Sequence, residues 1–154
     1  MKIGTVGFGN RIAHVFFELS QINKEAKLVA FVDPKPIGKK FAMEKKFFPS
    51  NQYDSLNEMI KKEDLDLLMI GSPNHMHLEH IKVGLESGIK IFAEKPIVVD
   101  ENQSFQLAKL LGEFGQDQVL VGLVLRYSQH ARSVRELIEK NVLGNIISIE
   151  ASEH

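Results

Sequence analysis

Three short stretches of this 154-residue chain bring together residue types that do chemistry. The first is Gly7-Phe8-Gly9-Asn10-Arg11, with Asp33 following 24 residues after Gly9. The second, Ser72-Pro73-Asn74-His75-Met76-His77, gathers hydroxyl, amide and imidazole groups. The third, Glu94-Lys95-Pro96, sets a carboxylate and an ammonium beside a proline. A GxG turn lets backbone approach a pyrophosphate, and the helix after it offers free N–H groups and a positive dipole end. Arg11 could add a charge-assisted bond to phosphate. Asp33 can accept from ribose hydroxyls, which favours NAD over NADP, while Lys35, Lys39 and Lys40 keep a 2′-phosphate open. Ser72 and Asn74 could contact ribose or nicotinamide. A lysine beside a nicotinamide can donate to a substrate oxygen and stabilise the charge that develops there, which gives Lys95 a use. Pro96 restrains Lys95 to extended geometry.

Each stretch has a plainer alternative. Asp33-Pro34 works as a turn, and Glu94-Lys95-Pro96 as a charged surface loop. His75, His77 and His80 invite a metal reading, but helical ligand pairs sit at i, i+4 and no carboxylate completes a set. No metal is expected; His75 or His77 is expected to start a helix or line a cofactor. The third position of the glycine fingerprint is Ile12, where glycine or alanine is usual, so looser packing of helix on strand is expected.

The elements that must position these groups repeat one pattern: an apolar run, a turn signal, an amphipathic helix. Strands are predicted at 2–6, 27–32, 65–70, 89–93 and 118–124, with a brief one between 49 and 53. Helices are predicted at 11–22, 37–47, from an Asp54 or Ser55 cap to 62, at 76–87 ending at Gly88, and at 101–114. In the second helix Ile37, Phe41, Ala42 and Phe48 are expected to face inward. Alternating strands and helices imply an α/β, doubly wound parallel sheet. Ligands of such sheets bind at the carboxyl ends of strands, where all three stretches fall. After about residue 124 the pattern changes to a charged helix at 129–140 and a strand at 145–150. The division expected is a Rossmann domain over 1–124 and the start of a second α/β domain over 125–154.

Composition narrows the function classes. A net charge of −1 offers no basic face, so nucleic acid is not an expected partner. The absence of cysteine removes disulfides, thiolate metal sites and cysteine nucleophiles, and fits a reducing, cytoplasmic setting. No stretch approaches the roughly 20 apolar residues of a membrane span.

Four stretches together resemble the Gfo/Idh/MocA family of NAD(P)-dependent oxidoreductases: VGFGN at 6–10, FVDP at 31–34, residues 72–96 with PN-x-x-H and EKP, and residues 121–153. The resemblance implies a Rossmann domain followed by a mixed α/β domain, and a sugar, inositol or related polyol as substrate. By position it implies that Gly7 and Gly9 form the dinucleotide loop, with Phe8, Asn10 and Arg11 beside them, and that Asp33 is the ribose acid. Pro73, Asn74 and His77 would form the cofactor-side loop, Glu94 a ribose or nicotinamide contact, and Lys95 the catalytic lysine. Arg126, with Tyr127, would reach the nicotinamide region. The family's acid–base histidine belongs to a later part of its second domain, so this chain is expected to be inactive as a dehydrogenase by itself. Alternatives are a glycosidase using tightly held NAD and a non-catalytic NAD-binding module. Apolar residues Val134, Leu137, Ile138, Ile146, Ile147 and Ile149 lead to an expected homo-oligomer.

Overall fold

A computed structural model describes residues 1–152. Its Cα packing divides into two compact units, one ending at Gly122 and one beginning at Leu123. The first unit is a six-stranded, all-parallel sheet in the order β3-β2-β1-β4-β5-β6. The strands are β1 (Lys2–Val6), β2 (Lys27–Val32), β3 (Asn51–Gln52), β4 (Leu67–Ile70), β5 (Lys90–Ala93) and β6 (Val119–Val121). Its helices are α1 (Asn10–Ile22), α2 (Lys39–Glu44), α3 (Leu56–Lys62), α4 (His77–Glu86) and α5 (Glu101–Phe114). Strand order reverses between β1 and β4, and a crevice for a ligand opens at such a point.

Two different cores cover the faces of the sheet. Val6, Leu68, Ile70, Ile91 and Ala93 pack with Met59 of α3, Ile81 and Leu85 of α4 and Leu107 of α5. Ile3, Phe31 and Met69 pack with Ile12 and Phe16 of α1 and Ala42 of α2. This second core is rich in phenylalanine: Phe8 lies 5.8 Å from Phe31 and from Phe48, and Phe16 5.1 Å from Phe47. Burying each such ring contributes roughly 1.5–3 kcal/mol. A register shift between Ile3 and Gly4 lets Leu28 and Ala30 of β2 serve opposite cores, which strict alternation forbids.

Helix ends follow local chemistry. Ser55 Oγ accepts from the Glu58 N–H at 3.2 Å, and Asp100 Oδ1 from the Gln103 N–H at 2.8 Å. Helix α4 stops before Gly88, which sits at φ +71°. The predicted 37–47 helix is corrected to a short α2, and Ile37 is 65% exposed instead of buried. Pro36 and Gly38 delay the helix start, so Ile37 precedes it.

In the second unit a 3₁₀ turn (Val124–Tyr127) leads to α6 (Gln129–Glu139), capped by Ser128 Oγ accepting from the Ala131 N–H at 3.2 Å. The strand expected at 145–150 is absent among the described residues. A strand exists through ladder bonds to a neighbour, and no described segment pairs with this one. Val134, Leu137, Ile138, Ile146, Ile147 and Ile149 are all exposed. No helix among the described residues is long and apolar enough to cross a membrane.

Candidate functional site

The carboxyl ends of β1, β2 and β4 open on a cavity of about 720 Å³. Gly7, Gly9, Asp33, Ser72 and Pro73 line it. Gly7 is required by geometry: its φ is +79°, and a side chain would strike the backbone of Gly71 and Ser72. Gly9 is the N-cap of α1 and has no side chain to cap it, so the first N–H groups of the helix stay open for an acceptor. Ile12 does not loosen the packing as expected. It is buried, and its side chain occupies the space that Gly71 leaves at the end of β4. The close approach is made by glycine on the strand instead of on the helix.

Asp33 ties the loop to β2. Its Oδ2 accepts from the Phe8 N–H at 2.6 Å and its Oδ1 from the Lys35 N–H at 2.7 Å. A carboxylate has about four lone-pair sites, so each oxygen retains capacity for a ligand hydroxyl. Phe8 itself turns inward: its ring is fully buried between Phe31 and Phe48, and its carbonyl accepts from the Gly38 N–H at 2.9 Å. It shapes the loop from behind and is not among the cavity-lining residues. Asn10 and Arg11 are exposed at the start of α1. Arg11 makes a partner the sequence did not suggest: its Nε lies 3.1 Å from Glu94 Oε1. The Nη groups of the guanidinium remain as donors.

Glu94 is a buried acid, and its backbone N–H donates to the Ile70 carbonyl at 2.9 Å. Gly122, after β6, leaves room for it; a methyl there would stand 3.1 Å from Glu94 Oε1. Lys95 follows, exposed and without an ion pair among the described residues, and its peptide bond to Pro96 is cis.

In the loop after β4, His77 takes one of the two places expected for it, the start of a helix, α4. Pro73 and Asn74 are exposed, whereas His77 is 1% exposed, with Nδ1 at 2.8 Å from the Pro96 carbonyl and Nε2 at 2.8 Å from the Ser72 carbonyl. Both ring nitrogens are engaged by protein, so this ring has no atom left for a cofactor. Ser72 Oγ pairs with His80 Nδ1 at 2.9 Å. Burial pushes His80 below the ordinary histidine range; Glu79 opposes this and His77 adds to it. His80, Met76, Val83 and Ile37 all line the cavity, and sequence reasoning missed them as lining residues. The signal was there for His80, which stands three residues after His77 on the inward face of α4. Arg126 lies exposed on the 3₁₀ turn of the second unit.

Known proteins share this architecture. Residues 1–123 match the Gfo/Idh/MocA model, described as an oxidoreductase family with an NAD-binding Rossmann fold. The chain is 26% identical over 145 residues to 2,7-anhydro-N-acetylneuraminate hydratase of Mediterraneibacter gnavus, covering 94% of this chain and 36% of that protein. It is 23% identical over 150 residues to inositol 2-dehydrogenase of Corynebacterium glutamicum, covering 97% and 44%. The crystal structure of apo scyllo-inositol dehydrogenase from Lactobacillus casei superposes with a TM-score of 0.82 at 25% identity, over 95% of this chain and 43% of that one. The chain thus spans less than half the length of these relatives. Because the family match runs through most of the chain, this protein belongs to the Gfo/Idh/MocA oxidoreductase family, by way of its NAD-binding Rossmann domain.

Proposed function

We propose that this chain is the dinucleotide-binding part of an oxidoreductase that transfers hydride between a nicotinamide dinucleotide and a hydroxyl-bearing carbon of a sugar, inositol or related polyol. The observation that carries the reading is the shared cavity of Gly7, Gly9, Asp33, Ser72 and Pro73 at one edge of the parallel sheet. The open N–H groups of α1 suit a pyrophosphate, and the spare lone pairs of Asp33 suit ribose hydroxyls. Ile37, Met76 and Val83 supply apolar surface for a base. When bound, the nicotinamide supplies the two-electron acceptor or donor. Lys95 donates to the substrate oxygen and stabilises negative charge on it. Glu94, held by Arg11, keeps the lysine loop against the end of β4.

Asp33 favours NAD over NADP, because a 2′-phosphate would meet a carboxylate already fixed by two backbone N–H groups. Lys35, which lines the same cavity, and Lys39, whose ammonium sits 5.3 Å over the Phe48 ring, are the cations a 2′-phosphate would draw on. The test is a titration of the chain with NADH and NADPH followed by fluorescence. Binding of NADH at least about ten-fold tighter, a difference of roughly 1.4 kcal/mol, is expected; binding of neither nucleotide would falsify the reading. A second reading is favoured by the relative named a hydratase: the net reaction need not be redox. Product analysis with a polyol and sugar panel separates the two, since transient oxidation leaves no net NADH.

A further inference from the structure

We infer that His77 is the positioning residue for Lys95, and that it acts as a two-donor bridge between the loops after β4 and β5. Its ring nitrogens both stand 2.8 Å from backbone carbonyl oxygens, Nδ1 from Pro96 and Nε2 from Ser72. Carbonyl oxygens only accept. A neutral imidazole carries one N–H and one bare lone pair, so in that form one of the two contacts would set lone pair against lone pair. A ring with an N–H on each nitrogen satisfies both carbonyls. The ring is 1% exposed, so water does not stand in for either partner.

The two anchored loops do not depend on His77 equally. Ser72 has a second hold through its Oγ and His80 Nδ1, at 2.9 Å. The 94–99 loop is pinned at its ends, by the Glu94 N–H on the Ile70 carbonyl at 2.9 Å and the Val99 N–H on Gln103 Oε1 at 3.2 Å. Between those pins, among the described residues, the polar tether is the Pro96 carbonyl on His77. That carbonyl belongs to the residue directly after Lys95. The side chain of Lys95 is exposed and makes no ion pair among the described residues, so the backbone alone sets where it starts. His77 thereby places the lysine without touching a ligand. This second half of the inference rests on the role proposed for Lys95; the two-donor bridge does not.

Ring nitrogen–proton correlation spectra of the ¹⁵N-labelled 154-residue chain, without ligand, test the bridge directly. Two nitrogen-bound protons on His77 are expected at neutral pH, where an ordinary exposed imidazole carries mostly one, and one bare ring nitrogen there overturns the bridge. The positioning role is tested with His77→Gln, which keeps a single amide donor group. ADP-ribose, which lacks nicotinamide, probes the glycine-loop side alone. Because the proposed role sets Lys95 beside the nicotinamide, displacing its loop is expected to weaken NADH about five-fold, while ADP-ribose affinity moves less than about two-fold. Equal loss of both ligands, or loss of neither, overturns positioning. Should the variant not fold, the ring spectra of the natural chain still decide the bridge. If the natural chain binds no NADH yet shows both ring protons, the proposed function fails and the bridge stands.

Discussion

The two sides of the cleft are held by opposite chemistry. On the β1–β2 side a carboxylate accepts from backbone: Asp33 takes the N–H groups of Phe8 and Lys35. On the β4–β5 side an imidazole faces backbone carbonyls: His77 stands between Ser72 and Pro96. A carboxylate with two bonds still has lone pairs to offer, so Asp33 can hold its loop and bind a ligand together. An imidazole with both nitrogens engaged has nothing left, so His77 can only hold. The contrast separates a side chain with free lone pairs from one with none, although both belong to motifs that look equally functional in the sequence.

The severest way to break the first side is Gly7→Ala. The methyl meets the backbone of Gly71 and Ser72, and φ of +79° is unfavourable for alanine. We expect a stability loss of about 3 kcal/mol or more in urea denaturation, with loss of NADH binding. Next is Asp33→Asn, whose amide can accept on one atom only. NADH should bind about ten-fold more weakly, with about 1–2 kcal/mol of stability lost, because the Phe8 or the Lys35 N–H loses its acceptor. Unchanged NADH affinity would detach Asp33 from the ribose and leave it a loop tie.

Arg11→Met tests the ion pair that joins the two sides. Glu94 has 11% side-chain exposure and Arg11 51%, so solvent screens the arginine end. A loss of about 1 kcal/mol in thermal melts is expected, since a nearly buried carboxylate loses its partner. No change in melting would show that Gly122 packing and the Glu94 backbone bond suffice. The smallest effect concerns His80. Burial disfavours its charged form, so the folded chain binds that proton less tightly than the unfolded chain. Stability is therefore full above about pH 6.5 and falls as pH drops below it, where the unfolded chain takes up the proton first. In melts from about pH 7.5 down to about 5.5, His80→Gln should lower Tm less than the natural chain does across the same step. Equal slopes would remove His80 from the pH response.

Much of the fold is written locally. Apolar runs at 2–6 and 27–32 coincide with β1 and β2, and the cap at Ser55 and the stop at Gly88 stand where turn chemistry puts them. The glycine loop and Asp33 were legible because their geometry follows from one βαβ unit. The strand at 145–150 was not: its apolar pattern suits a sheet, but a pattern is not a partner. Ile37 was misplaced because periodicity assumed a helix that Pro36 and Gly38 postpone.

What the amino-acid order determined by itself was the alternation of strands and helices, the tight glycine turn at Gly7, and the acid at the end of β2. These depend on residues close along the chain. Tertiary structure alone decided which side chains meet across the strand ends. Arg11 reaches Glu94 over 83 positions, and His77 reaches Pro96 over 19. Placing β4 beside β1 and β5 beside β4 brings those residues within hydrogen-bond range, and no local pattern encodes that neighbourhood. The lysine of Glu94-Lys95-Pro96 was visible from the start; the histidine that holds its loop became visible only once the sheet was assembled.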